Sequence, residues 1–183
     1  MGIQLLDQNT INKIAAGEVI ERPSSVVKEL VENAIDAGAT AVTVEAKEGG
    51  ISFIRVTDNG SGIKKDEIDI AFKRHATSKI KSIEDLLTVS SLGFRGEALA
   101  SIAAVSQIEL ITKTKDDITG TRYQSEGSEV ISVEDIGAPD GTTFIIRNLF
   151  FNTPVRRKFL KSAMTEAGYI NALMQYLSLI HIS

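Results

Sequence analysis

The sequence predicts an α+β domain in which helices cover one face of a mixed or antiparallel sheet. Three observations predict it. Four short segments alternate apolar and polar residues as strands do, at 41–46, 51–57, 106–113 and 142–147. Stretches with helical apolar spacing stand before the first of these and after the last. Turn residues join the segments, and no repeat, low-complexity tract or Pro/Gly/Ser-rich linker divides the 183 residues. That length supports one domain with a real core and is short for two.

Residues 10–21 read as the first helix. Pro23 interrupts it, and Ser24 or Ser25 can cap the next helix with a hydroxyl. That second helix runs to about Ala37, with Val27, Leu30, Val31, Ala34 and Ile35 on one apolar face and Gly38 as its stop. AVTVEA and ISFIRVT follow as a strand pair, with Gly49 and Gly50 as the turn between them. After a further helix comes a glycine-bracketed loop from Ser90 that runs into a helix-forming stretch ending at Ser101. SQIELITK and TTFIIR are later strands. Ile170, Leu173, Met174 and Leu177 give the last segment helical spacing.

Composition narrows the class. Apolar content of 43% and charged content of 24% are those of an ordinary soluble domain. Apolar runs stay short of the roughly 20 residues of a membrane span. The N-terminus lacks the basic start and apolar stretch of a signal peptide, so a cytoplasmic protein is expected. The absence of cysteine removes disulfides and thiolate metal sites, and two histidines, His75 and His181, are a poor basis for zinc. A formal net charge of −4 argues against DNA held over the whole surface. A local patch could still hold it: Arg156, Arg157, Lys158 and Lys161 cluster near a helix start. A solvated face, or pairing with nearby acids, explains that cluster equally well.

Four motifs carry candidate chemistry. Glu29, Asn33 and Asp36 fall at i, i+4 and i+7, on one stripe opposite the apolar face. A solvated helix face has the same spacing. The chemical alternative makes Glu29 a general base and the Asn33 amide oxygen a ligand for Mg²⁺. Asp58-Asn59-Gly60-Ser61-Gly62 directly follows a strand. It is good turn chemistry. It also lets a flat ligand approach the backbone, with Asp58 accepting a hydrogen bond from an exocyclic amine such as that of adenine.

The third motif, Gly93-Phe94-Arg95-Gly96-Glu97, leads into a helix start, where exposed N–H groups can cradle phosphate or simply end a loop. Lys79, in the preceding His75-Ala76-Thr77-Ser78-Lys79, is either a phosphate contact or a surface lysine. Gly141-Thr142-Thr143 opens a late strand. Other nucleotide signatures are missing. No Gly-Lys dipeptide exists for a Walker A loop, and Gly60 and Gly62 lack the third glycine of a dinucleotide fingerprint. The protein-kinase set is absent too.

Taken together, the four motifs resemble the superfamily of gyrase B subunits, ninety-kilodalton heat-shock chaperones, sensor histidine kinases and MutL. Within it the chain resembles the MutL family of DNA mismatch-repair proteins. The stretches that carry this are Ile14-Ala-Ala-Gly17-Glu-Val-Ile-Glu-Arg22-Pro23, Arg74-His-Ala-Thr-Ser-Lys79, Gly93 through Ser101, and Phe151-Asn-Thr-Pro-Val-Arg-Arg-Lys158-Phe-Leu160. The resemblance implies a two-layer α/β sandwich of the Bergerat type, a mixed sheet with helices on one face. It implies ATP and Mg²⁺ as cofactors. Glu29 is then the base that activates water, and Asn33 holds Mg²⁺. Asp58 reads adenine with Gly60, Gly62 and Thr143 around it. Thr77, Ser78, Lys79, Gly93, Phe94, Arg95, Gly96, Glu97, Ala98 and Leu99 belong to a lid that grips the phosphates.

The resemblance also implies an ATP-dependent homodimer of the full-length protein. A mismatch-recognition protein of the MutS type and DNA are its implied partners, in a bacterial cytoplasm near the nucleoid. Family members continue into a second domain that supplies a lysine to the γ-phosphate. Residues 1–183 are therefore expected to be an ATP-binding domain truncated before it, with 177–183 a non-native tail. A nucleotide- or DNA-binding module without useful hydrolysis is the rival class, and the presence of Glu29 argues against it.

Overall fold

The computed structural model describes residues 7–73 and 97–181. Asp7 caps the first helix, α1 (Gln8–Val19), by accepting the Thr10 N–H at 2.7 Å. The next helix, α2 (Pro23–Asp36), starts earlier than the serines suggested. Pro23 is its first residue and Arg22 its N-cap, with no side-chain cap, because the fixed φ of proline presets the first turn. Gly38 closes its far end, donating to the Ile35 carbonyl at 3.0 Å, while Ala39 donates to Ala34 at 3.1 Å.

Six strands form one sheet among the described residues: β1 (Val42–Lys47), β2 (Phe53–Asp58), β3 (Gln107–Lys113), β4 (Gly120–Glu126), β5 (Glu129–Ile136) and β6 (Gly141–Arg147). Their order is β1-β2-β6-β3-β4-β5. Of the mixed and antiparallel arrangements, the strands take the antiparallel one at every pairing. The β1–β2 hairpin is wider than a two-residue turn, because Lys47 pairs with Phe53 and a 3₁₀ turn occupies 48–50. Short helices α3 (Ile68–Ala71), α4 (Ala98–Ala104) and α5 (Pro154–Phe159) fill the connections, and α6 (Ala163–His181) ends the described chain. Residues 177–181, expected to be a tail, continue α6, with Leu177 buried.

Register explains the layers. Val44, Val56, Phe144, Leu110 and Tyr123 are successive cross-strand neighbours and share one face. The buried core on that face includes Val26, Val27 and Leu30 of α2 and Ile102 and Ala103 of α4, and α6 adds Ile170 and Leu177 while packing on α2 and the 48–50 turn. The opposite face is mostly polar, with Phe53, Ile111 and Ile145 set among charged and hydroxyl side chains. Glu109 there accepts Arg122 Nε at 2.8 Å and Arg147 Nη1 at 3.0 Å. Burial works against ionising Glu109, but the two arginines outweigh it and hold its carboxyl below the usual range.

Candidate functional site

One end of the sheet is polar on its helix-covered face. Asp58 pairs with Thr142, Thr142 with Thr112, and Thr112 with Thr121, so the four side chains form a cross-strand row. The Thr112 hydroxyl lies 2.8 Å from that of Thr142, donates to the Gly141 carbonyl at 3.2 Å and accepts the Ile63 N–H at 2.9 Å. Three segments distant in sequence meet at that hydroxyl.

The loop after β2 is tied on both sides. Asn59 Oδ1 accepts the N–H groups of Thr40 and Ala41 at 2.8 and 3.0 Å, and its Nδ2 donates to Thr40 Oγ1. Ser61 N–H donates to the Ala37 carbonyl at 2.9 Å, which joins the loop to the end of α2. Gly62 has φ +75, and a Cβ there would overlap the Lys113 carbonyl. Gly141 has φ +117, and a Cβ there would overlap the Asp58 carbonyl. Both positions therefore require glycine.

Within this frame Asp58 is half-buried, and its Oδ1 accepts the Gly60 N–H at 2.8 Å. Burial pushes its carboxyl above the ordinary aspartate value, although the Gly60 and Thr142 N–H groups pull the other way. A carboxylate so placed is a directional acceptor at the rim of an apolar layer.

On α2, Glu29 is 5% exposed, Asn33 half-buried and Asp36 exposed. The two readings of the stripe thus divide along the helix. Asp36 is a solvated end, whereas Glu29 lies inside, flanked by the buried Val26 and Leu30. A carboxylate in that setting is costly without a compensating role or partner. Asn33 stands one turn further on, toward the end of α2 that the Asp58 loop touches.

Thr143, expected beside Asp58, is directed elsewhere. Strand alternation turns it to the outer face, where its Oγ1 is 3.4 Å from Thr57 Oγ1. The threonine that shares the face of Asp58 is Thr142. Thr112 stands in no motif, and the Gly141-Thr142-Thr143 motif does not say which of its adjacent threonines faces Asp58, since that depends on strand register. Ala98 and Leu99 belong to α4, where Ala98 is buried and Leu99 packs on the core, and Glu97 is the N-cap residue. Thr77, Ser78, Lys79, Gly93, Phe94, Arg95 and Gly96 lie outside the described residues.

Among the described residues no group of three His, Cys, Asp or Glu side chains could hold a metal. The Asn33 amide oxygen suits a hard cation that takes its remaining ligands from phosphate and water, as Mg²⁺ does. Arg156 of the basic cluster is engaged, donating to the Ile20 carbonyl at 3.3 Å, while Arg157, Lys158 and Lys161 are exposed. No helix among the described residues is long and apolar enough to cross a membrane.

Known proteins match this arrangement. The family described as histidine kinase-, DNA gyrase B-, and HSP90-like ATPase matches residues 20–142, a span that includes Glu29, Asn33, Asp58 and Thr142. The DNA mismatch repair protein MutL of Agathobacter rectalis is 69% identical over 98% of this chain and 28% of its own length. The MutL of Acidobacterium capsulatum is 55% identical over 98% of the chain and 27% of its own length. The chain thus spans under a third of the length of these relatives. Among solved structures, the Aquifex aeolicus MutL ATPase domain complexed with ADP superposes with a TM-score of 0.70. It is 37% identical and covers 88% of this chain and 56% of that one. The N-terminal domain of a DNA repair protein gives 0.77 at 28% identity, covering 93% and 49%. The chain belongs to the histidine kinase-, DNA gyrase B- and HSP90-like ATPase family, and within it to the MutL group of mismatch-repair proteins.

Proposed function

We propose that this chain is the Mg²⁺-dependent ATP-binding and ATP-hydrolysing switch of a mismatch-repair protein. The observation that carries the reading is Glu29. It is a carboxylate only 5% exposed, on a helix whose far end is hydrogen-bonded to the loop of Asp58. Asp58 accepts the adenine amine, with Gly60, Gly62 and the Thr112–Thr142 hydroxyl pair around the base. The Asn33 amide oxygen holds the cation. When bound, Mg²⁺ neutralises phosphate charge as the leaving group departs. Glu29 orients a water and takes its proton. The glycine-bracketed segment from Thr77 to Glu97 supplies phosphate-binding N–H groups and excludes water.

ATP drives dimerisation of the longer protein, which acts with a MutS-type protein and DNA in the cytoplasm, at the nucleoid during repair. The test is a titration of the chain with ATP, with and without Mg²⁺, alongside single-turnover hydrolysis. Mg²⁺-dependent binding with turnover is expected. Binding with no turnover would turn the reading toward a nucleotide-binding module, and no binding would remove it.

A further inference from the structure

We infer that Arg22 and Glu166 form a positioning pair for α2, the helix that carries Glu29 and Asn33; this rests on the ATPase reading above. Glu166 is fully buried in the first turn of α6. Its Oε2 accepts the Lys161 N–H at 2.8 Å, and its Oε1 faces Arg22 Nη1 at 3.7 Å. The Arg22 guanidinium also lies 4.6 Å above the Tyr169 ring. Two side chains of α6 thus hold the residue that starts α2.

The helix itself supplies the link to chemistry. Arg22 is the N-cap, and no side-chain hydrogen bond caps that end. At about 100° per residue, Arg22, Val26, Glu29 and Asn33 follow one another along a single stripe. A restraint on Arg22 therefore fixes both the axial position and the rotation of that stripe. The other end of α2 is fixed separately, by the Ser61 N–H on the Ala37 carbonyl. Held at both ends, the helix presents Glu29 at one depth and one angle. A buried ion pair adds little net stability over an apolar filling of the same volume. Its contribution here is placement.

Misplacing a reacting group by about 1 Å can cost up to about 100-fold in rate. Glu166→Gln keeps the volume and an acceptor for Lys161 but loses the charge. Arg22→Gln removes the same restraint but leaves the buried Glu166 carboxylate without its counter-charge, so Glu166→Gln is the variant less prone to misfold. Each should lower kcat about tenfold with ATP affinity nearly unchanged, and Glu166→Gln, which leaves no buried charge behind, should also keep its thermal midpoint nearly unchanged. Because both delete one restraint, the double variant should be no slower than either single one. Arg22→Lys should recover part of the rate.

A second readout does not depend on turnover. The side-chain carboxyl ¹³C resonance of Glu29, assigned by its loss in Glu29→Gln, should move in Glu166→Gln and in Arg22→Gln. An unmoved resonance overturns the positioning role, as do additive losses in the double variant. Affinity, rate and stability falling together in Glu166→Gln would reduce the pair to a structural tie, which also overturns it. If the unaltered chain neither binds nor hydrolyses ATP, the ATPase reading fails, and the Glu29 resonance alone then decides the positioning.

Discussion

Gly17 lies directly against the guanidinium of Arg156, so that a Cβ on the glycine would fall inside it. The same guanidinium stands 5.9 Å from the Phe150 ring centre and donates to the Ile20 carbonyl. This contact joins two stretches by which the chain resembles MutL, one around Ile14–Pro23 and the other around Phe151–Leu160. It also makes a sign-reversing prediction. Inside a helix, Gly→Ala normally stabilises by about 1 kcal/mol. In Gly17→Ala the methyl evicts Arg156, and the lost hydrogen bond and stacking cost about 1–3 kcal/mol. The substitution should therefore be neutral or destabilising in the unaltered chain. In an Arg156→Ala background it should stabilise. Urea unfolding of the four proteins checks this, and an effect of the same sign in both backgrounds would rule the contact out as the cause.

The second prediction separates adjacent threonines. Thr142 shares a face with Asp58, whereas Thr143 faces Thr57 on the outside. Thr142→Val keeps the shape, removes a hydroxyl from the buried row and leaves Thr112 with one partner fewer. It should weaken ATP binding by about 1–3 kcal/mol. Thr143→Val deletes only a long, exposed contact and should leave affinity nearly unchanged. Nucleotide titrations of both variants decide it. A larger loss for Thr143→Val would restore the expectation drawn from the motif alone.

That pair marks the boundary of what the sequence discloses. Elements with one buried face were legible, because burial imposes a period: α2 through Val27, Leu30, Val31 and Ala34, β2 through Ile54 and Val56. Neither β4 nor β5 was located: the buried face of β4 is built on Thr121, Tyr123 and Ser125, which give no apolar alternation, while most residues of the edge strand β5 are exposed and its pairing slips between Gln124 and Ser125. No alternation survives there to be read. The site divides in the same way. Glu29, Asn33 and Asp58 stand at motif spacings that local geometry dictates. The Thr112–Thr142 pair and the Arg22–Glu166 pair depend on register and on helix packing, which join residues 30 and 144 positions apart.

A third prediction follows from the burial of Asp58. Its carboxyl titrates above the ordinary value of 3.8, so the folded state holds the proton more tightly than the unfolded chain does. The stability this lends is fully present below the unfolded value and is lost as pH rises through the folded one. Measured against Asp58→Asn, which does not titrate, the unaltered chain should lose ground over that window and run parallel above it. Changes in the hydrogen bonds of the loop add only a constant offset. Unfolding free energies of both proteins across the acid range provide the check. A difference that moves the other way would mean that the Gly60 and Thr142 N–H groups outweigh burial.

The last prediction separates the two roles on α2. A general base acts in the transition state and contributes roughly 10²–10⁴-fold to rate with little effect on ground-state affinity. Glu29 is buried, so Glu29→Ala would open a cavity, and Glu29→Gln is the cleaner substitution because it keeps the volume. It should bind ATP with near-normal affinity and hydrolyse it about 10²-fold or more slowly. Asn33 acts earlier, through the cation that makes the triphosphate bindable. Asn33→Ala should therefore lose the Mg²⁺-dependent part of ATP affinity and retain affinity for adenosine, which has no phosphate for the cation to bridge. The two variants should thus fail in different assays, one in turnover and the other in binding. Calorimetric titration with ATP and adenosine, each with and without Mg²⁺, together with single-turnover hydrolysis, covers every arm. If Glu29→Gln turned over like the unaltered chain, the base would have to be sought elsewhere. If Asn33→Ala lost adenosine affinity as well, its effect would be a displaced α2 rather than a missing metal ligand.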